Sequence, residues 1–370
     1  MMENRTKVLH VLTDRNIGGA GRWLLYYLKY HNRNEFEVKV VLPHDSRLVE
    51  AVKTLDVPVI AMEEMEDRSF DKKALKALVQ VFRREKPEIV HTHASMTARM
   101  AARLARVPSI FHTKHCMEGA PGMLPKKILR REINGAFSDK IIAVSRAVRR
   151  SMVKAGTSPE QIAVVYNGIE RIPIPSAEEK ASLLASFGGK AGEKAVGMVA
   201  RLEEVKDHET FLLAAQNVLE ARKDVRFYIV GDGSLREELE RRAYELGISE
   251  NVTFTGFIKD VENIEAALDI AVITSRAEAL CLSIIESMIA GIPAVGTDSG
   301  GVAEVIQHGE NGFLVPVGDS DALAERIEEL LADEEKRKAF GAHAKKHAES
   351  MFLADKMTKR IEKLYREARA

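Results

Sequence analysis

The sequence has few residues of the kind that cross-link a protein. It contains two cysteines, Cys116 and Cys281, in 370 residues. Two cysteines cannot form a disulfide framework for a chain of this length, and they favour a reducing, cytoplasmic compartment. With 45% hydrophobic and 30% charged residues, the composition is that of a globular protein, which excludes disordered and collagen-like classes.

Long apolar runs are also absent. The longest candidate, residues 281–296, contains Glu286, so no stretch reaches the roughly 18 apolar residues of a membrane-spanning helix. The apolar stretch before Thr13 and Asp14 is only five residues long, which predicts a first strand and not a signal peptide. We therefore expect no membrane-spanning segment.

The net charge is zero, but the charges are distributed unevenly. Residues 1–171 hold 30 Lys and Arg against 19 Asp and Glu, a net charge of +11, and the remainder has a net charge of −11. This asymmetry, like the length, predicts two domains, and it suggests that they have different partners. Alternatively, two complementary surfaces face each other across a cleft, and charge alone does not decide between these interpretations.

Short β-branched runs alternate with amphipathic stretches along the chain. The runs that predict buried strands are 7–12, 36–42, 87–93, 109–113, 140–145, 195–200, 225–230, 251–256, 270–275 and 292–297. Strands separated by helices predict parallel sheets that helices cover on both faces, as in doubly wound α/β domains. Prolines and a glycine cluster between Asn167 and Glu193 predict a linker. The predicted parts are a first domain over 1–170, a linker over 171–193, a second domain over 194–352 and a C-terminal helix within 353–370 that packs back on the first domain.

Glycines follow the first predicted strand in the segment IGGAGRWLL. Gly18, Gly19 and Gly21 stand directly before an amphipathic helix, whose unpaired first amides could bind a phosphate. The alternative is a tight turn with close helix packing, and the spacing is not that of GxGxxG. The segment DSGGVAE at 298–304 predicts a second glycine-rich helix start.

Two cations follow the first strand of the second domain. Arg201 and Lys206 lie in MVARLEEVK, and a pair of fixed cations at the carboxyl end of a strand suits a diphosphate. The alternative is an ordinary surface pair beside Glu203, Glu204 and Asp207.

The segment 275–301 adds a third anion-binding element. Ser283 and Glu286 have the spacing of a capping box, which predicts a helix from Ser283 to about Gly291. Its first amides, around Leu282 to Ile284, would point toward the same ligand as the two cations. Glu278 has no capping role, and a carboxylate beside phosphates is favourable where it accepts hydrogen bonds from sugar hydroxyls.

Four histidines end two neighbouring strands: His91, His93, His112 and His115. Imidazoles so placed are compatible with zinc, but no acidic third ligand lies at a suitable spacing, so we predict no metal site. A neutral imidazole that donates to a substrate hydroxyl, or a core histidine at His91 and His112, are the remaining interpretations.

These motifs occur in the order of a known family. They are GGAG near the start, HTKH at 112–115, AVSRAV and NGIE within 143–170, GMVARLEEVK at 197–206, VGDG at 230–233, and the pair Glu278 and Glu286. Over nearly its whole length the chain resembles the retaining GT-B glycosyltransferases of family four. The resemblance implies two Rossmann-like domains facing a cleft, with the acceptor on the first and a nucleotide diphosphosugar, such as a UDP-sugar, mainly on the second. It also implies retention of anomeric configuration and no metal or other cofactor.

The resemblance further implies a role for individual residues. Arg201 and Lys206 would hold the diphosphate, together with the amides of Leu282 and Ser283. Glu286 would bind the ribose, and Glu278 and His115 would contact the transferred sugar as catalytic residues. Gly18 and Gly19 would close over the phosphates. No protein nucleophile is implied, because the leaving phosphate takes the acceptor proton. The chain departs from the family at 278–281, where EALC replaces EGFG, which leaves the identity of the donor sugar open.

A basic segment bears on the acceptor. Residues 122–154 hold nine Lys or Arg against two Asp or Glu, interleaved with apolar residues. Such a surface attracts anionic lipid headgroups, which predicts a sugar or lipid-linked acceptor used in cell-surface glycan synthesis, and peripheral association with the inner face of the membrane. A solvated helix face is the alternative. No nucleic-acid partner is expected.

Three rival functions are compatible with parts of the sequence. A nucleotide-sugar epimerase would share both domains but needs acid and base carboxylates around the sugar. A dinucleotide-dependent dehydrogenase would need the GxGxxG spacing, which is absent here. A non-catalytic nucleotide-sugar-binding protein would keep the binding residues without turnover.

Overall fold

The structure of the chain, a computed structural model, describes residues 5–63, 65, 70–93, 95–119 and 124–369. Residues 122 and 123 of the basic segment therefore lie outside the described residues. The chain forms two compact units. One holds the residues up to Gly168 together with those from Leu353 onward, and the other runs from Ile169 to Phe352.

The first unit is built on a parallel sheet of seven strands in the order β3-β2-β1-β4-β5-β6-β7. Its elements in chain order are β1 Thr6–Leu12, α1 Gly19–Tyr30, β2 Phe36–Pro43, α2 Leu48–Lys53, β3 Val59–Met62, α3 Lys72–Glu85, β4 Ile89–His93, α4 Met96–Leu104, β5 Ser109–Lys114, α5 Leu124–Phe137, β6 Lys140–Ala143, α6 Arg146–Lys154 and β7 Ile162–Val164. Side chains alternate between the two faces of a strand, so the apolar strands bury both faces under helices.

The second unit contains a parallel sheet of six strands in the order β10-β9-β8-β11-β12-β13. Its elements are α7 Ala177–Ser186, β8 Lys194–Val199, α8 His208–Ala221, β9 Val225–Val230, α9 Arg236–Glu245, β10 Val252–Gly256, α10 Val261–Glu265, β11 Ile270–Ile273, α11 Leu282–Ile289, β12 Ala294–Thr297, β13 Gly312–Val315, α12 Ser320–Ala332 and α13 Glu334–Met351. Both sheets confirm the predicted doubly wound α/β class.

Three strands were not predicted from the sequence, namely β3, β7 and β13. All three lie at an edge of their sheet and are only three or four residues long. Their sequences, VIAM, IAV and GFLV, are apolar but too short to be recognised as strands by their pattern.

The segment 171–193 contains a helix where a linker was expected. Ser176 accepts a hydrogen bond from the amide of Glu179, and the Glu179 carboxylate accepts one from the amide of Ser176. This reciprocal capping box begins α7, which belongs to the second unit. The irregular stretch is therefore shorter than the prolines and glycines indicated.

The last helix, α14 (Ala354–Glu367), belongs to the first unit. Ile361 and Tyr365 are fully buried in the cluster formed by α1 and the sheet. Arg366 holds the carboxylate of Glu35 with two hydrogen bonds of 2.7 Å each. The amphipathic C-terminal segment thus completes a core that begins 350 residues earlier in the chain, at β1 and α1.

Candidate active site

The predicted donor residues of the second unit lie at the carboxyl ends of two adjacent strands. Arg201 and Lys206 follow β8, Glu278 follows β11, and β8 pairs directly with β11. The strand order reverses between these two strands, and open α/β sheets bind ligands at such a switch point. The topology alone therefore brings both cations and the carboxylate to one edge of the sheet.

Lys206 and Glu278 form an ion pair there. The Lys206 Nζ donates to Glu278 Oε1, and the Ser275 hydroxyl donates to the same oxygen at 3.2 Å. The two side chains are 18% and 11% exposed, so solvent still reaches the pair. Arg201 is exposed, and its side chain meets no partner among the described residues.

Backbone contacts hold the two loops of this pair together. The Thr274 hydroxyl, at the end of β11, is 2.9 Å from the carbonyl oxygen of Lys206 and 2.8 Å from that of Asp207. The Arg276 amide donates to the carbonyl of Val205 at 2.9 Å. The Lys206 backbone is thus fixed against the strand that precedes Glu278, which preorganises the pair.

Two glycines that the sequence analysis treated as a helix start have another role. Gly300 has φ +53°, and a Cβ there would lie 2.1 Å from the carbonyl oxygen of Glu278. A Cβ on Gly301 would lie 2.2 Å from the carbonyl oxygen of Ala279, and the Gly301 amide donates to Glu278 at 2.8 Å. Only glycine allows this close approach, so the pair supports the Glu278 loop. A short 3₁₀ turn, and not an α-helix, follows at Val302–Glu304.

The capping box predicted at Ser283 is wrong. Helix α11 begins one residue earlier, at Leu282, with Cys281 as its N-cap and no side-chain cap. The Ser283 hydroxyl instead lies 3.5 Å from Cys281 Sγ. Within the described part of the chain, no acceptor meets the amides of Leu282 and Ser283, which are free to bind an anion. Glu286, one turn further on, is 3% exposed.

Cys281 is not a nucleophile in this arrangement. Burial raises the pKa of its thiol to about 12, and the negative charge of Glu278 adds to the increase. The thiol is therefore protonated at neutral pH. Leu280 and Cys281, which replace family residues in EALC, are 7% and 3% exposed, so their side chains fill the interior and leave the loop's backbone available.

In the first unit, the partly buried His115 ends a row of hydrogen-bonded rings, of which His10, His91 and His93 are buried. Its Nε2 lies 2.9 Å from Nδ1 of His93, and Nε2 of His93 lies 3.3 Å from Nδ1 of His10. The row continues from Nε2 of His10 to the Tyr365 hydroxyl at 3.4 Å. The same hydroxyl lies 2.5 Å from Nδ1 of His91. Nδ1 of His115 is buried and has no partner among the described residues.

The histidines of this row are neutral at physiological pH. Burial lowers the pKa of His115 to about 3, with the positive charge of Lys114 as the second cause, and burial also lowers the pKa of His10 to about 3. A neutral imidazole carries one N–H, so each hydrogen bond in the row fixes the tautomer of the next ring. The Nδ1 of His115 is thereby set as a donor or an acceptor by His93.

Gly18 and Gly19 begin α1 at the carboxyl end of β1. A Cβ on either would meet nothing within 4 Å, and neither has a positive φ. Neither tight packing nor backbone conformation requires glycine at these positions. Gly21 differs, because its Cβ would lie 3.1 Å from the Leu48 side chain. Tight helix packing thus explains Gly21, whereas Gly18 and Gly19 leave the backbone accessible.

The predicted residues form two groups. Arg201, Lys206, Glu278, Leu282, Ser283 and Glu286 belong to the second unit, and Gly18, Gly19 and His115 belong to the first. Among the residues that the structure describes, no group of three or more His, Cys, Asp or Glu side chains could hold a metal ion.

Comparison with known proteins decides the family. The family model "Glycosyl transferases group 1" matches residues 181–347, and the model "Glycosyltransferase Family 4" matches residues 17–171. The chain belongs to the family four glycosyltransferases. This glycosyltransferase is therefore an enzyme that transfers sugars, and the dehydrogenase alternative is dropped.

Relatives of the glycosyltransferase align over most of their length. It is 27% identical over 346 residues to the UDP-Gal:alpha-D-GlcNAc-diphosphoundecaprenol alpha-1,3-galactosyltransferase of Escherichia coli. This alignment covers 89% of each chain. It is 26% identical over 305 residues to the N-acetyl-alpha-D-glucosaminyl L-malate synthase of Bacillus anthracis, covering 80% of this chain and 79% of the relative.

A solved structure shows the same fold. The structure of Anabaena HepE in complex with UDP superposes with a TM-score of 0.84 at 24% identity, covering 98% of this chain and all of that one. The glycosyltransferase thus has the GT-B fold that its motifs implied.

Proposed function

We propose that this enzyme transfers a sugar from a UDP-sugar to a sugar or lipid-linked acceptor, with retention of anomeric configuration and without a metal, in the synthesis of a cell-surface glycan or glycolipid. The observation that carries the proposal is the Lys206–Glu278 ion pair at the switch point of the second sheet, where Arg201 and the free amides of α11 are found as well. This combination of two cations, two amides and a carboxylate suits a diphosphate attached to a sugar.

The cations have a catalytic task in this proposal. Arg201 and Lys206 neutralise the charge that develops on the departing diphosphate, which is the kind of electrostatic stabilisation that lowers a transition-state barrier most. Two fixed cations supply the countercharge that a divalent metal supplies in other transferases. Glu278 exchanges Lys206 for the sugar hydroxyls as the donor enters, and Glu286 accepts from the ribose.

The proposed retention uses no protein nucleophile. The Cys281 thiol is protonated and buried, so it is not a nucleophile, and Glu278 is given the role of accepting hydrogen bonds from the sugar hydroxyls. In this mechanism the acceptor itself is the nucleophile and attacks the face from which the diphosphate departs. The leaving phosphate oxygen accepts the proton of the acceptor, and no nucleophile from the protein takes part. His115 contacts the sugar, and Gly18 and Gly19 close over the phosphates.

UDP is supported by the relatives that the chain matches over most of its length. The Escherichia coli galactosyltransferase is named for a UDP-Gal donor, and the HepE structure is a complex with UDP. Phe257, which was not predicted from the sequence, suits the uracil base of UDP. It follows β10 directly and is 80% exposed at the carboxyl end of the same sheet. An exposed aromatic ring is a stacking surface for uracil.

The acceptor side rests on helix α5. Its Leu124, Ile128 and Leu129 are between 55% and 70% exposed, and they alternate with basic residues. This apolar and basic surface suits an acceptor at an anionic membrane, as does the diphosphoundecaprenol in the name of the galactosyltransferase. Among the described residues, no helix is both long enough and apolar enough to cross a membrane.

Two experiments test the proposal. A thermal-shift screen of nucleotides should single out UDP, which at 100 times its dissociation constant raises stability by about 2.7 kcal/mol. The radiolabelled UDP-sugar that binds is then offered to lipid-linked sugars, and the anomeric configuration of the product is read by NMR. Binding of another nucleotide, inversion, or epimerisation of the donor without transfer would refute the proposal. Flotation with anionic vesicles at low salt tests the membrane part separately.

A further inference from the structure

A cavity of about 400 Å³ lies in the first unit, at the carboxyl end of β5. It is bordered by α4, α5 and α6 and open to solvent, and its volume lies within the range of sites that bind small organic molecules. The residues of its polar lining that matter here are Arg99, His112, Lys114, Glu118, Lys126 and Arg130. None of them takes part in the histidine row that ends at His115.

The charges of this cavity do not balance. Of the described residues that line it, Glu118 alone carries a carboxylate, which pairs with both Lys114 and Arg130. Among the described residues Arg99 and Lys126 form no salt bridge, and Glu118 attracts the charge of Arg99 only from beyond salt-bridge distance. Burial, followed by the charges of Arg99 and Lys114, lowers the pKa of His112 well below its ordinary value, so His112 is neutral. The cavity therefore carries an excess of positive charge.

Arg99 is the most unusual of these cations because it is only 6% exposed. Its Nη1 donates to Asn134 Oδ1 and Ser138 Oγ, both at 3.1 Å, and both of these partners are neutral. Its Nε is buried with no partner among the described residues. Burial lowers the pKa of Arg99 to about 10, which still leaves it charged at neutral pH. A buried, unpaired charge is costly, and an anionic ligand would remove that cost.

The other wall of the cavity is apolar. Leu129 and Ile133 of α5 and Met152 of α6 line it. Leu129 is 60% exposed, so this wall continues into the outward-facing apolar surface of α5. A ligand that fits both walls has an anionic head and an apolar tail that leaves along α5.

We propose that this cavity binds the phosphate or diphosphate group of an acceptor in which that group is esterified to an apolar chain. The inference rests on the proposed function, and it names the acceptor class and the residues that select it. The location suits an acceptor, because Lys114 lines the cavity and the next residue is His115, so both lie at the carboxyl end of β5.

The test is calorimetric titration of the full chain with farnesyl diphosphate, inorganic pyrophosphate and farnesol. We expect farnesyl diphosphate to bind more tightly than either fragment, because each fragment fills only one wall. Farnesol binding equally well would show that the charges are not used, and pyrophosphate binding equally well would show that the apolar wall is not used. Either result overturns the proposal.

Variants locate the bound molecule. Arg99→Met removes a charge-assisted contact, so affinity for farnesyl diphosphate should fall about tenfold or more. Lys126→Gln keeps the proposal falsifiable if Arg99→Met does not fold, because Lys126 is exposed. We expect a loss of about threefold or more from it. Lys127→Gln is the matched control, with the same charge change on the neighbouring residue, which does not line the cavity.

Two further outcomes would contradict the proposal. Equal losses in Lys126→Gln and Lys127→Gln would indicate general attraction to a basic surface. A loss confined to Lys206→Met would place the diphosphate in the donor site. A parallel titration with UDP separates this inference from the proposed function. UDP binding without selective farnesyl diphosphate binding refutes the cavity alone, and the reverse result refutes the donor proposal alone.

Discussion

Replacing Glu278 by glutamine tests the role of the ion pair. The substitution keeps the size of the side chain but removes the carboxylate that Lys206 and Ser275 contact. If Glu278 holds the transferred sugar, the reaction loses a charge-assisted hydrogen bond of about 1.5–3 kcal/mol, which lowers turnover by about 10- to 150-fold. UDP affinity should stay the same or rise, because Lys206 is released to the diphosphate.

The same variant has a calculable effect on stability. The side chains of the pair are 18% and 11% exposed, so the pair lies between a surface pair and a fully buried one. Breaking it should lower the free energy of unfolding by about 1–3 kcal/mol, measured by urea titration. This loss is small enough for the variant to fold and to be assayed.

A matched control separates stability from catalysis. Glu193 pairs with Arg226 at 2.8 Å, and the two side chains are similarly buried, at 12% and 7% exposure. This pair lies at the opposite, amino end of β8 and β9, away from the switch point. Glu193→Gln should therefore cost stability but leave turnover unchanged. Equal turnover in Glu278→Gln and the wild type, or a loss of UDP binding in Glu278→Gln, would refute the reasoning.

Three further predictions concern single features of the two units. Phe257→Ala should weaken UDP binding about 5- to 150-fold while leaving pyrophosphate binding unchanged, since stacking on one base contributes about 1–3 kcal/mol, and calorimetry would show both. His93→Phe keeps the ring stacking but leaves His115 without its hydrogen bond. The turnover number should therefore fall about tenfold, with an unchanged donor KM. A change in the donor KM alone would contradict a positioning role. Burial lowers the native pKa values of His10 and His115 to about 3, so only the unfolded chain takes up protons there below about pH 6.5. The free energy of unfolding should then fall by about 1.4 kcal/mol per pH unit for each histidine between about pH 6 and 4, and it should not change with these groups above about pH 7.

The central strands were predictable because each is buried on both faces. The run VRFYIV at β9 is apolar except for Arg226, which pairs with Glu193 at the amino end of the strand, and such an apolar run indicates a buried strand. The edge strand β13, GFLV, has one neighbour and four residues, too few for a pattern to stand out. Local sequence thus predicted the class of the fold better than the extent of its sheets.

The failure of the capping box at Ser283 has a local cause. The S-x-x-E pattern requires that the serine lie outside the helix, whereas Ser283 is the second residue of α11 and Cys281 is the cap. The S-x-x-E spacing is present, but Ser283 does not have the N-cap conformation that a capping box requires. The predicted amides, around Leu282 to Ile284, were placed from that capping box, and the true helix start lies only one residue earlier, so Leu282 and Ser283 are still among the first amides of α11.

The histidine row could not be predicted from the sequence. It requires His10 to lie opposite His91 across β1 and β4, and it also requires Tyr365 to come from a helix 274 residues further along the chain. Strand register and long-range packing decide both contacts, and neither leaves a periodic signal. The cavity around Arg99 is likewise formed by four elements that are separate in the sequence.

The central claim is that Lys206 holds the diphosphate of a nucleotide donor. Its most direct test is titration of UDP into the wild type, Lys206→Met, and the control Lys346→Met, which removes an exposed lysine of α13 in the same unit. We predict that UDP affinity falls about tenfold or more in Lys206→Met and is unchanged in Lys346→Met. Equal UDP affinity in all three proteins would contradict the account.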